Sequence, residues 1–189
     1  MSAHGHAHVD PSNRNVALLI AVLAAVLALS ETLAKGAQTA ALSLNIEAAN
    51  LWSFFQAKTI RMTTLRTAAE SLEAEAAQLS NPQARAAMEK RIAEWRKTAA
   101  RYDSEPDTQE GRKELAERAK VAEEQRSRTL SAYHHYEVAS AALQIAIVLA
   151  SATVITSVGF LLWGAAGLGV AGLAFCLIGF FAPTSLHFL

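Results

Sequence analysis

The chain has 189 residues, 52% of them hydrophobic, with 17 basic and 17 acidic side chains. A net charge of zero argues against a nucleic-acid binder, which needs a basic surface to neutralise phosphates. Sixteen of the 17 Lys and Arg residues lie between Lys35 and Arg128, and sixteen of the 17 Asp and Glu residues between Glu31 and Glu137, the distribution of a membrane protein with one polar insert rather than of a soluble globule. The single cysteine, Cys176, excludes a disulfide within the chain.

Residues 1–14 are a polar tail containing "HGHAHVDPSNR". The run Val16–Leu29 carries no charge; continued to Ala34 it rises about 28 Å as a helix, the thickness of a bilayer's hydrocarbon core, and predicts a first span over residues 15–35. The rival reading is a cleaved signal peptide, with Val16–Leu29 as its apolar region and "ALS", Ala28–Ser30, as its cleavage site. Against it, Arg14 is the only basic residue ahead of the run, and nothing after Ser30 resembles a mature N-terminus.

From Glu31 to Leu79 there is no Pro, and Gly36 is the only Gly. Leu44, Ala48, Leu51, Phe55, Met62, Leu65, Ala69, Leu72, Ala76 and Leu79 recur at steps of three and four, with Lys58 in the one polar slot. That heptad stripe predicts a long helix that pairs with others. "SNP" at Ser80–Pro82 ends it, because Ser and Asn suit caps and Pro suits a first helical turn. A second helix is expected over Pro82–Tyr102, with Met88, Ile92, Trp95, Ala99 and Tyr102 on one face. "DSEPD" at Asp103–Asp107 is the next break, and a third helix is expected from Thr108. The insert, residues 36–136, thus reads as antiparallel and coiled-coil-like, with breaks near 80–82 and 103–107. The third helix continues into a second span over 137–163. "GAAGLG" is expected as a tight turn, so that 164–183 holds a turn and a short third span, and 184–189 a tail. The fold class is an all-α integral membrane protein with three spans. Arg118, Lys120, Arg126 and Arg128 before the second span place the insert in the cytoplasm; the signal-peptide reading would reverse this.

Four features are candidate sites. "EAANLWSFFQAKTIR", Glu47–Arg61, carries aromatic residues and two cations one turn apart. It reads as bundle core with an aromatic belt at headgroup height, or as an oligomer or lipid interface in which Lys58 and Arg61 take phosphate headgroups. Lysine at a core-type position fixes register at a cost in stability. Glu31 and Lys35 are spaced for an ion pair, with Glu137 at the corresponding depth of the second span; these boundary charges are either solvated or part of a cation or proton path. His4, His6, His8 and Asp10 alternate and could hold a metal if extended, although no second ligand cluster accompanies them, and one or both of His134 and His135 are expected to face headgroups. Ala165, Gly169, Gly172, Cys176 and Gly179 form a small-residue face suited to close helix packing, and Gln144, Ser151, Thr153, Thr156 and Ser157 offer bonds across helices. Phosphate loops, metalloprotease His-Glu pairs and nucleophile elbows are missing. No cofactor and no enzymatic activity are expected.

The order of an aliphatic span, "LNIEAANLWSFFQAKTIR", a charged helical hairpin and two closing spans resembles a bacterial inner-membrane protein family catalogued as a domain of unknown function. Asn50, Trp52, Gln56, Ala57, Lys58 and Arg61 carry the resemblance, as a "W..(F/Y)QAK..R" element. It implies an inner-membrane location and no catalytic residues; with Phe55 at the aromatic position, a phenol is not essential there. Three functions are expected in this order: a homo-oligomeric helical scaffold, an oligomeric ion conduit with Glu31 at its inner mouth, and a metal or stress sensor using the histidine tail.

Overall fold

The computed structural model describes residues 11–185, and the side chains of residues 14–185. His4, His6, His8 and Asp10 lie outside the described residues. Those residues form four helices and no strand: α1 over Pro11–Ala76, α2 over Pro82–Asp103, α3 over Arg112–Thr156 and α4 over Phe160–Phe181. α1, α3 and α4 are long and apolar enough to cross a membrane. α1 runs 66 residues without interruption, as expected where neither Pro nor a Gly pair kinks the helix.

The chain divides into two compact units. One comprises the chain up to Ala41 and from Ser127 onward. Here the N-terminal part of α1, the C-terminal part of α3, and α4 bury Leu23, Leu143 and Ala146 together, with Val16, Ala150 and Ala165 in a second cluster. These helices meet by close packing of small residues against leucines and by interhelical hydrogen bonds. The buried face of α4 is Ala165, Gly169, Gly172, Cys176 and Gly179. A methyl group on Gly169 would lie 2.6 Å from Leu23, and one on Gly172 would lie 2.7 Å from Leu143 and 3.1 Å from the Ala139 carbonyl. Ser30 donates to the Tyr136 carbonyl at 3.1 Å, and Ser140 donates to Ser30 at 3.2 Å.

Three details correct or refine the sequence reading. The turn between the last two spans is Ser157–Gly159, not "GAAGLG". Ser157 takes φ 58°, and the Val158 N–H reaches Thr156 Oγ1 at 3.4 Å. Gly164, Gly167 and Gly169 lie within α4 and stay helical. Second, Ser151, Thr153 and Thr156 donate to carbonyls four residues back on their own helix rather than across helices. Third, the two adjacent histidines do not share one environment: His134 is exposed and His135 is fully buried. Its Nε2 lies 3.1 Å from the Pro183 carbonyl, and its ring stacks on Phe175.

The other unit, Leu42–Arg126, is a helical hairpin whose returning arm is broken. α2 runs antiparallel along the end of α1, burying Ile92 against Ala69 and Ala76 with Leu72, Met88 and Trp95 around them. α3 continues the return, burying Leu115 and Ala119 against Leu51, Trp52 and Phe55. At the hairpin tip, Asn81 Oδ1 accepts from the Gln83 and Ala84 N–H groups at 2.9 and 3.3 Å, and Pro82 occupies the first helical position, where its missing N–H costs nothing. The expected heptad stripe is therefore covered within the chain: Ala48, Leu51, Lys58, Met62, Ala69 and Ala76 are buried.

Candidate functional site

The returning arm breaks at residues 104–111, beside Lys58. Lys58 is 6% exposed. Its Nζ lies 3.8 Å from Glu105 Oε2, 5.1 Å from the Tyr102 ring centre and 5.3 Å from that of Phe54. Two aromatic faces and a carboxylate thus replace the water a buried ammonium has lost. Lys58 is turned into the hairpin, whereas Arg61 is exposed; the two do not converge on one phosphate.

Charge also holds the break itself. Arg112 contacts Asp103 Oδ1 at 2.8 Å and Lys113 contacts Asp103 Oδ2 at 3.0 Å. Glu114, at the third position of α3, reaches back across the loop to accept from Ser104 Oγ at 2.6 Å and from the Glu105 N–H at 3.2 Å. Lys113, with Arg112, holds the Asp103 carboxyl below the usual carboxylate range, and the Ser104 hydroxyl does the same for Glu114. Gly111 is required by close approach: a methyl there would run into Glu114 Oε2 and the Glu105 N, and come within 2.7 Å of Ser104 Cα.

The remaining residues of Glu47–Arg61 divide between the two sides of α1. The Trp52 indole donates to Glu123 Oε1 at 2.8 Å and meets Phe55 edge to face, 5.4 Å between ring centres. The Arg112 guanidinium sits over Phe55 at 5.6 Å. Asn50 and Gln56 are exposed on the other side.

In the unit that carries the spans, Glu31, Lys35, Tyr133, Glu137, Ser140 and Gln144 line an open groove of about 440 Å³. Glu31 accepts from Gln144 Nε2 at 3.2 Å, while Glu137 takes the Tyr133 hydroxyl and lies 3.4 Å from His134 Nδ1. Among the described residues no three His, Cys, Asp or Glu side chains are grouped to hold a metal ion.

Sequence reasoning singled out Lys58 but not its partners Tyr102 and Glu105, nor the brace of Asp103, Arg112 and Glu114. "DSEPD" read as a break only. The available signal was Gly111 followed three positions later by an acid, the spacing of a helix start.

Helices long enough for three spans, joined to a hairpin insert pinned by a buried lysine, define an all-α, membrane-type protein. Residues 12–182 match the family described as Domain of unknown function (DUF4337), and the chain belongs to that family. No curated protein and no solved structure matches it.

Proposed function

We propose that this protein is a non-enzymatic scaffold of the bacterial inner membrane that assembles with copies of itself, its insert on the cytoplasmic side. The two stripes that first suggested self-association, the heptad positions of α1 and the glycine face of α4, are both covered within the chain. What supports assembly is a third surface. Between Leu42 and Ile60 the outward side of α1 exposes one charge, Glu47, whereas α2 carries nine charged residues in 22. Leu42, Ile46 and Ile60 are 60%, 53% and 67% exposed there. An insert meant only to be solvated would spread its charge over both arms. The cytoplasmic side follows from Arg118, Lys120, Arg126 and Arg128 preceding the span on α3.

Native mass spectrometry from mild detergent tests the reading: one closed oligomer is expected, and a monomer at every detergent condition overturns it. The groove around Glu31 favours a second reading, an oligomeric ion conduit with that carboxylate near its mouth. It predicts ion flux in liposomes that Glu31→Gln reduces, and flux no greater than in protein-free vesicles sinks it.

A further inference from the structure

The outward side of α1 carries a second heptad pattern, opposite the one buried in the hairpin. Ser43, Asn50, Ala57, Thr64 and Ser71 recur every seven residues; Ile46, Ser53, Ile60 and Thr67 fall between them at steps of three and four. No member is charged. All are exposed except Ala57, which is half-buried. Upstream the pattern continues through Thr39 and Gly36, and a methyl on Gly36 would meet nothing within 4 Å. An open glycine inside an exposed helix costs about 1 kcal/mol relative to alanine, a cost that makes sense where a second helix must come close.

The stripe's polar members are prepared for burial. Thr39 donates to the Lys35 carbonyl, Ser53 to that of Ala49 and Thr64 to that of Ile60, each at 2.9 Å. A hydroxyl satisfied by its own helix leaves no stranded donor when another surface covers it.

We propose that this face is the seam between two copies of the chain, which pair their α1 helices parallel and in register with Asn50 against Asn50. The proposal rests on the scaffold reading. The occupant follows from three observations. Copies anchored in one bilayer by the same spans stand the same way up, so equal helices meet in parallel. The stripe bears no charge, so identical faces meet without repulsion, while α2 and α3 would bring like charges together. A lone Asn at one of the core-type heptad positions is the device that sets register and favours two strands in a parallel pair. With its flanking positions the stripe offers roughly twenty residues a side, the size of a stable interface. Small side chains along it permit a short interaxial distance.

The test uses the full chain in liposomes with Cys176→Ser as background, since that thiol is buried. Asn50→Cys and Ser53→Cys, under a copper oxidant, are expected to form covalent dimer at least tenfold faster than Ala93→Cys, an exposed position on α2. Asn50→Glu and Asn50→Lys should each be monomeric in native mass spectrometry, and mixing them should restore the dimer, because the pairing sets position 50 against itself, while the Ser53→Cys crosslink distinguishes parallel from antiparallel. An oligomer that persists unchanged in both charge variants, with no preference for crosslinking at 50 and 53, overturns the seam and leaves the scaffold standing. A monomeric wild type overturns both. The same Asn50→Cys chain oxidised in whole bacterial membranes and crosslinking only to a different protein overturns the second copy as the occupant.

Discussion

Gly172 and Gly111 are both glycines that one added methyl group would jam, and the neighbours they protect are different in kind. Around Gly172 the crowding atoms are Leu143 and the Ala139 carbonyl, in a unit that packs small residues against leucines. Around Gly111 they are a carboxylate, a backbone N–H and a Cα, in a loop held by Asp103, Arg112, Lys113 and Glu114. The unit that carries the apolar helices fits by shape, small residues against leucines. The insert can use charge, because water stabilises its partly exposed carboxylates.

The contrast can be broken most severely at Gly172. Gly172→Leu should cost about 3 kcal/mol by overpacking two helices at once, seen as a lower thermal midpoint of the span-bearing unit in detergent, with insert hydrogen exchange unchanged. Gly111→Ala should cost about 2 kcal/mol and show the reverse pattern, with faster exchange confined to the insert around residues 102–116. Lys58→Met should move the insert's stability by no more than about 1 kcal/mol, in either direction, because a well-packed apolar chain replaces a buried ion pair without large loss. Glu105 is not stranded by it, since Arg101 lies 3.6 Å away. If Lys58→Met instead dissolves the oligomer, the buried lysine serves assembly rather than the hairpin. The smallest effect is with pH. Asp103 and Glu114 have lowered folded values, so their contribution is complete above the unfolded carboxyl range and is lost as pH falls through the folded values. Acid titration followed by insert exchange should show this, and Asp103→Asn should flatten it.

Much of this was legible in the sequence. The steps of three and four from Leu44 to Leu79, the cap at Asn81–Pro82 and the uncharged ends each reflect a local rule that tertiary context did not override. The same stripe could not say what covered it: a heptad pattern is identical whether the partner is α2 and α3 or another chain. "GAAGLG" misled because glycine marks turns in polar segments, whereas these six residues lie inside an apolar helix long enough to cross a membrane. His135 was invisible for another reason. Its burial depends on Gly179 leaving room across 44 residues of sequence, where a methyl would stand 3.0 Å from the histidine Cβ.

The cap at Asn81 also sets an order of events. Contacts across the hairpin lengthen steadily with distance from it: Arg96 reaches Glu73 over 23 residues, Trp52 reaches Glu123 over 71, and Arg126 reaches Asn45 over 81. Each pair, once formed, shortens the loop that the next must close. The insert is therefore built to zip from its tip, with a seed of a few residues around Ser80–Ala84 that can close before most of α3 has a partner. A chain cut within α3 should still have its tip folded, while Asn81→Ala should slow every later contact.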